Sequence, residues 1–211
     1  MLDGQRAVTG DVYADADGLR SMDAEQFGAA FLAAAVTPDR VHSVVTRLLG
    51  DELGFGPISA GPGGVATATA EGHVNAIEVR RILDQEQRFV VDVDFELQLH
   101  VVIGNQELRY PVRICVPVHL TVLTVEPVAI HIEPEPVQPE DISVHVHCEG
   151  LPSRLVKLLG NVDGQLRRHA AIYIEELLDT VEGRRYRHID MTALIDRAWN
   201  ADLVWDADGM G

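Results

Sequence analysis

The sequence predicts an α+β fold: a long, strongly curved antiparallel sheet wrapped around a long C-terminal helix, with two short helices ahead of it. Three observations carry this. The run "RFVVDVDFELQLHVV" at residues 88 to 102 is apolar at every second position from Phe89 to Val101, which is the period of a half-buried strand. The alternation resumes after "IGNQEL" and continues to Val122. From Leu151 the period changes from two to 3.6 and holds for most of 30 residues, as in a long amphipathic helix.

At the N-terminus, residues 1 to about 20 are rich in Asp, Ala and Gly and poor in large apolar groups, so they are expected to form a flexible tail, as are residues 206 to 211. Residues 21 to 205 are expected to form a single domain. Ser21 is the expected cap of a short helix carrying Phe27, Phe31 and Leu32. A second helix should start at Pro38 behind Thr37, since proline suits the first helical position and threonine the cap. Its stripe is Val41, Val44, Val45, Leu48 and Leu49, and Gly50 ends it. "GFGPISAGPGG" reads as a break in regular structure, and the small and branched residues from Val65 to about Leu83 read as one or two strands.

In the long strand Phe89, Val91, Val93, Phe95, Leu97, Leu99, Val101 and Ile103 share one face, and Asp92, Asp94, Glu96, Gln98 and His100 the other. Gly104 and Asn105 supply the turn. The next strand points Leu108, Tyr110, Val112, Ile114, Val116, Val118, Leu120 and Val122 inward and Arg109, Arg113, His119 and Thr121 outward. Pro111 and Pro117 fall on the outward phase and predict an edge or bent strand, because proline cannot donate to a ladder. Two further strands should turn Val128, Ile130 and Ile132, then Ile142, Val144, Val146 and Cys148, inward. The helical stripe runs through Leu155, Leu158, Leu159, Val162, Leu166, Ala170, Tyr173, Ile174, Leu177 and Leu178, with Gly160 and Gly164 as kink points. A last short helix after Asp190 carries Met191, Leu194, Ile195 and Trp199.

Length then becomes an argument about function. A strand of about 15 residues rises roughly 50 Å and a helix of nearly 30 about 45 Å, so the two match end to end. A sheet of five such strands is roughly 24 Å across, about twice the diameter of one helix. Part of the apolar face is left for the short helices, a second subunit or a ligand. That gap is a hydrophobic pocket with Phe89, Val91, Val93, Phe95, Leu97, Tyr110 and Val112 on the sheet side and Leu155, Leu159, Leu166 and Tyr173 on the helix side as its expected lining. Tyr110, on the inward phase, needs a partner for its phenol, which backbone supplies or, as the alternative, a ligand in the pocket.

This order of elements, helix, long alternating strands, one long C-terminal helix, resembles the tubular lipid-binding (TULIP) superfamily over about residues 38 to 181. The resemblance implies a curved antiparallel sheet around the helix, with lipid held between them. The helix-grip fold of START-like proteins is the rival; it begins with a strand, whereas both short helices here precede every clear strand.

Other chemistry is thin. Seventeen basic against 33 acidic residues give a formal charge of -16, a field that repels phosphate backbones and argues against a nucleic-acid partner. No apolar run is long enough for a transmembrane segment, and the first residues lack the basic start and apolar stretch of a signal peptide, so a cytoplasmic location is expected. Cys115 and Cys148 lie on opposite strand phases, which disfavours a disulfide between them. His145 and His147, with His119 and His131, form the sharpest polar cluster, but they lie on the solvent phase without a completing carboxylate or thiolate, so they read as surface residues and no metal or other cofactor is expected. Asp92, Asp94 and Glu96 read as a solvated face. Arg167 and Arg168 could set a cation near a ligand head group, or simply face water. No nucleophile elbow, C-x-x-C pair or nucleotide fingerprint is present. The leading expectation is binding or carrying of a lipid-like hydrophobic small molecule. The alternatives are a pocket enzyme of cyclase or isomerase type acting on an apolar polyketide-like substrate, which can work by restricting conformers, and a structural module whose apolar sheet face pairs with another copy in a homodimer.

Overall fold

A computed structural model describes residues 20–50, 53–60, 66–82, 87–147 and 153–203, with side chains left out at 59–60 and 153–161. The expected terminal tails thus lie almost wholly outside the described residues, as does Cys148. The chain divides into two compact units, residues 1–37 and residues 38–211.

The first unit contains α1 (Ala24–Ala35). Its cap is Asp23, not Ser21: the Asp23 carboxylate accepts from the Gln26 amide at 2.8 Å while the Gln26 side chain accepts from the Asp23 amide. This reciprocal box satisfies two N-terminal donors at once, which a lone serine two residues earlier cannot do. Phe27 and Phe31 stack on one another with ring centroids 6.1 Å apart, and both are exposed.

The second unit is a curled antiparallel half-barrel with helices. It comprises α2 (Pro38–Leu49), β1 (Leu53–Ala60), β2 (Ala66–Arg81), β3 (Arg88–Ile103), β4 (Gln106–Val125), β5 (Ala129–Pro134), β6 (Ser143–Val146), α3 (Ser153–Asp179), α4 (Val181–Arg187), β7 (His188–Asp190) and α5 (Met191–Asn200). The strand order is β1-β2-β3-β4-β5-β7, and β6 pairs with the same edge of β4 that carries β5 further along. Both ladders of β3 are antiparallel and run nearly its whole length, pairing Phe95 with Ile114 and with Val74. The inward face of β3 is buried at every position from Phe89 to Val101.

Segment 53–60, read from sequence as a break, is an edge strand. Its alternation fails because the register shifts between Phe55 and Ile58, around Gly56 and Pro57, so Leu53, Phe55 and Ile58 all reach the core at uneven spacing. The weakly alternating stretch after Val65 is one strand. Its inner face carries Ala66, Ala68, Ala70 and Gly72, all small, and the three alanines are buried at 3% exposure or less. A β-carbon at Gly72 would overlap the Glu96 carbonyl and lie 2.7 Å from the Leu97 Cα. A bulge follows at once, between Val74 and Ala76, adding local twist.

The prolines of β4 sit where the ladder does not need them. His147 donates to the Pro111 carbonyl at 2.9 Å and Glu135 to the His119 carbonyl at 2.8 Å, so backbone groups of this phase point away from β3. Pro117 shares the phase and falls in the gap between the segment paired with β6 (112–115) and that paired with β5 (120–125), where no strand asks for its N–H. Buried Val137 and Ile142 come from the connection between β5 and β6. Val128, expected inward, is exposed in the turn ahead of β5. Continuous helix runs through Gly160 and Gly164 in α3. After it Thr180 caps α4, and β7 pairs with β5; neither element was legible as a period, since they hold 7 and 3 residues.

Candidate functional site

The apolar layer between sheet and α3 is built from three sides. The sheet supplies the buried inner row of β3 and, opposite it on β4, Val112, Ile114, Val116 and Val118. Helix α3 supplies Val162, Leu166, Ala170 and Ile174, four residues at a spacing of four that make one buried line, together with Ala171. It packs against β1 and β6, strands on opposite edges of the sheet, so the sheet has curled until its two sides meet the same helix.

Tyr173 ties the layers together. Its ring meets Phe55 of β1 and Phe95 of β3 edge-on, with centroids 6.0 and 6.4 Å away, the arrangement the aromatic quadrupole favours. Its hydroxyl donates to the Leu49 carbonyl at the end of α2 at 3.1 Å. This one side chain therefore joins α2, α3, β1 and β3. Burial pushes its pKa above the ordinary phenol value, because the phenolate would lose water. Arg167 makes a second tie: its guanidinium pairs with Asp163 one turn earlier at 3.1 Å and donates to the Ile142 carbonyl beside β6. Arg168 is exposed. Of the two arginines, one is thus engaged in holding α3 to the strand edge.

The structure brings Phe95, Leu166 and Tyr173 into the same layer, and buries Phe89, Val91, Val93, Leu97 and Val112 with none more than 4% exposed. Leu155 and Leu159 fall on α3, but their side chains lie outside the described residues. Cover thins toward the β3–β4 hairpin. There Ile103, Leu108 and Tyr110 are half-buried, and Val144 and Val146 of β6, which face Ile114 and Val112 on the same side, are half-buried too. Tyr110 thus stands at the edge of the apolar layer, opposite Leu99.

The outer face carries ion pairs, Arg113 to Glu96 at 2.7 Å and Arg80 to Asp92 across strands, and Arg109 to Glu107 at 3.1 Å within β4. Cys115 lies on this face between Asp94 and Ser143; partial burial and the Asp94 carboxylate push its thiol up to about 12, so it stays protonated at neutral pH. His145 faces outward opposite Arg113, and His131 pairs across the ladder with His188, ring centroids 6.2 Å apart. Among the described residues no group of three or more His, Cys, Asp or Glu is placed to hold a metal ion, and no helix is long and apolar enough to cross a membrane.

No protein-family model and no curated protein matches this chain. Among solved structures it is similar to one titled crystal structure of lipopolysaccharide binding protein, with a TM-score of 0.38 and 14% identity, over 73% of this chain and 38% of that one. The chain therefore spans well under half of that protein's length.

Proposed function

We propose that the protein binds or carries a lipid-like hydrophobic small molecule between the curled sheet and α3, entered at the end nearest the β3–β4 hairpin. The observation that carries the reading is the uneven cover of one continuous apolar face. Its middle is closed by Tyr173, Leu166 and Val162, whereas Ile103, Leu108, Tyr110, Val144 and Val146 at one end keep part of their surface in water. Burying such surface is worth roughly 25 cal/mol per Å2, so an apolar chain laid along this end gains affinity without any charged partner. The half-buried Tyr110 gives the same end an amphipathic aromatic side chain.

In this reading Tyr110 and Val112 line the entrance. Phe89, Val91, Val93, Phe95, Leu97, Leu166 and Tyr173 form the floor against which the ligand ends. Native mass spectrometry of freshly purified protein, before and after extraction with organic solvent, tests this directly. A bound mass that is lost on extraction and regained on incubation with a long-chain fatty acid is expected. Protein that is ligand-free from the start and takes up no apolar molecule contradicts it.

A further inference from the structure

The side of the sheet turned away from α3 carries a hollow with chemistry of its own. Two adjoining depressions, of about 530 Å3 and about 810 Å3, share Glu71, Gly72, His73 and Gln98. Together they form a trough across the strands, from Leu53 and Gly54 of β1 to Arg113 of β4 and His147 just past β6. Four inter-strand steps of about 4.8 Å make it roughly 19 Å long. It passes over Gly72, where an added β-carbon would overlap the Glu96 carbonyl of β3.

Ladder register arranges its polar groups in two rows. Glu71 stands opposite Gln98, and Gln98 opposite Pro111; two residues along, His73 stands opposite Glu96, and Glu96 opposite Arg113. Glu96 and Arg113 are paired with one another at 2.7 Å. The side chains of Glu71, His73, Gln98 and His147 make no hydrogen bond or ion pair with other described residues. Acceptors and donors therefore alternate along the trough with most of their capacity unused. Between them the exposed Pro111 ring lies on this face, while Leu97 and Val112 meet the trough with their backbone only, their side chains being buried on the other side.

These features select a ligand class. Two carboxylates against one guanidinium, itself already paired, disfavour a phosphate-bearing or otherwise anionic ligand. An extended peptide added to a sheet needs an open strand edge, and the trough crosses strands instead of following one. No three ligating groups converge for a metal among the described residues. A chain of vicinal hydroxyls can both donate to Glu71 and accept from Gln98, and its C–H faces suit the exposed Pro111 ring. The geometry points to a binding site for a linear, uncharged oligosaccharide, lying across β1 to β6 and held by Glu71, Gln98 and the histidines. The site is on the opposite side of the sheet from the apolar layer and stands whether or not a lipid binds there.

Amide chemical-shift mapping on the whole chain tests it, using maltotetraose, cellotetraose, mannotetraose and chitotetraose as probes at millimolar concentration. At least one should shift the Gly72 and His147 amides and the Gln98 side-chain amide while leaving Phe95 and Leu99 in place. Gln98→Ala and Glu71→Ala should each weaken that probe about tenfold, the scale of one lost charged or amide hydrogen bond. Asp94→Asn, on the same face outside the trough, should bind as the parent does. The proposal is overturned if none of the four probes moves these signals, if the shifts map elsewhere, or if both alanine variants bind unchanged.

Discussion

Phe95→Ala should be among the most damaging single substitutions in this protein. Phe95 is fully buried at mid-strand, between Ile114 and Val74 on its neighbours, with the Tyr173 ring edge-on to it at 6.4 Å. Truncating a buried phenylalanine to alanine removes its transfer free energy and leaves a cavity, together about 3 to 5 kcal/mol. Loss of the edge-on aromatic contact accounts for about 0.5 to 1.5 kcal/mol of that. For a chain of this size the change corresponds to a fall in Tm of about 6 to 20 °C. Urea unfolding followed by far-UV circular dichroism measures it, with Asp94→Asn on the opposite face as the comparison and expected within about 0.5 kcal/mol of the parent. A cost below about 1 kcal/mol for Phe95→Ala, or equal costs at both positions, would refute the assignment of faces on which the whole account is built.

Gly72→Ala should lose about 1 to 3 kcal/mol in the same assay, since the added methyl has only the Glu96 and Leu97 backbone to push against, whereas Gly28→Ala, with nothing within 4 Å, should be neutral or better. Tyr173 binds its proton more tightly in the folded state than the ordinary phenol pKa of 10.0 implies, so it stabilises the fold below that pH and this contribution is lost as pH rises through the raised value; alkaline unfolding monitored above pH 10 should be shallower in Tyr173→Phe. In a Cys148→Ser background Cys115 should react with a thiol reagent at pH 8 far more slowly than the unfolded chain does, because its thiol is held up near about 12; equal rates would contradict its placement between Asp94 and Ser143.

Long elements were legible in the sequence for a simple reason. Strands β3 and β4 hold 16 and 20 residues and α3 holds 27, enough repeats of each period to exclude the other. Short or irregular elements were not. Strand β1 hides its pattern behind the shift between Phe55 and Ile58, and the inner face of β2 hides in Ala66, Ala68 and Ala70, which weigh little on any hydropathy scale yet are buried. Apolar periodicity also predicts burial that the neighbours must still provide: α5 has the expected stripe, but Leu194, Ile195 and Trp199 remain exposed. The residues expected to line a pocket were recognisable as one face of each element; Phe89, Val91, Val93, Phe95, Leu97, Val112 and Leu166 are buried, and the side chains of Leu155 and Leu159 lie outside the described residues. Which of them stand at its thinly covered end was not, because this depends on where α3 and β6 fall across the sheet. The trough on the outer face was invisible for the same reason: Glu71, Gln98 and Arg113 are far apart in sequence and meet only through register.

The central claim is that an apolar ligand lies against the sheet at the β3–β4 hairpin end, and photolabelling measures this most directly. Purified protein is loaded with a fatty-acid analogue bearing a photoreactive diazirine, irradiated, digested and mapped by mass spectrometry. Adducts are expected to concentrate in residues 103 to 112 and 143 to 146, suppressed by excess unlabelled fatty acid. Adducts confined to α1, α5 or the outer face, or labelling that excess fatty acid does not reduce, would contradict it.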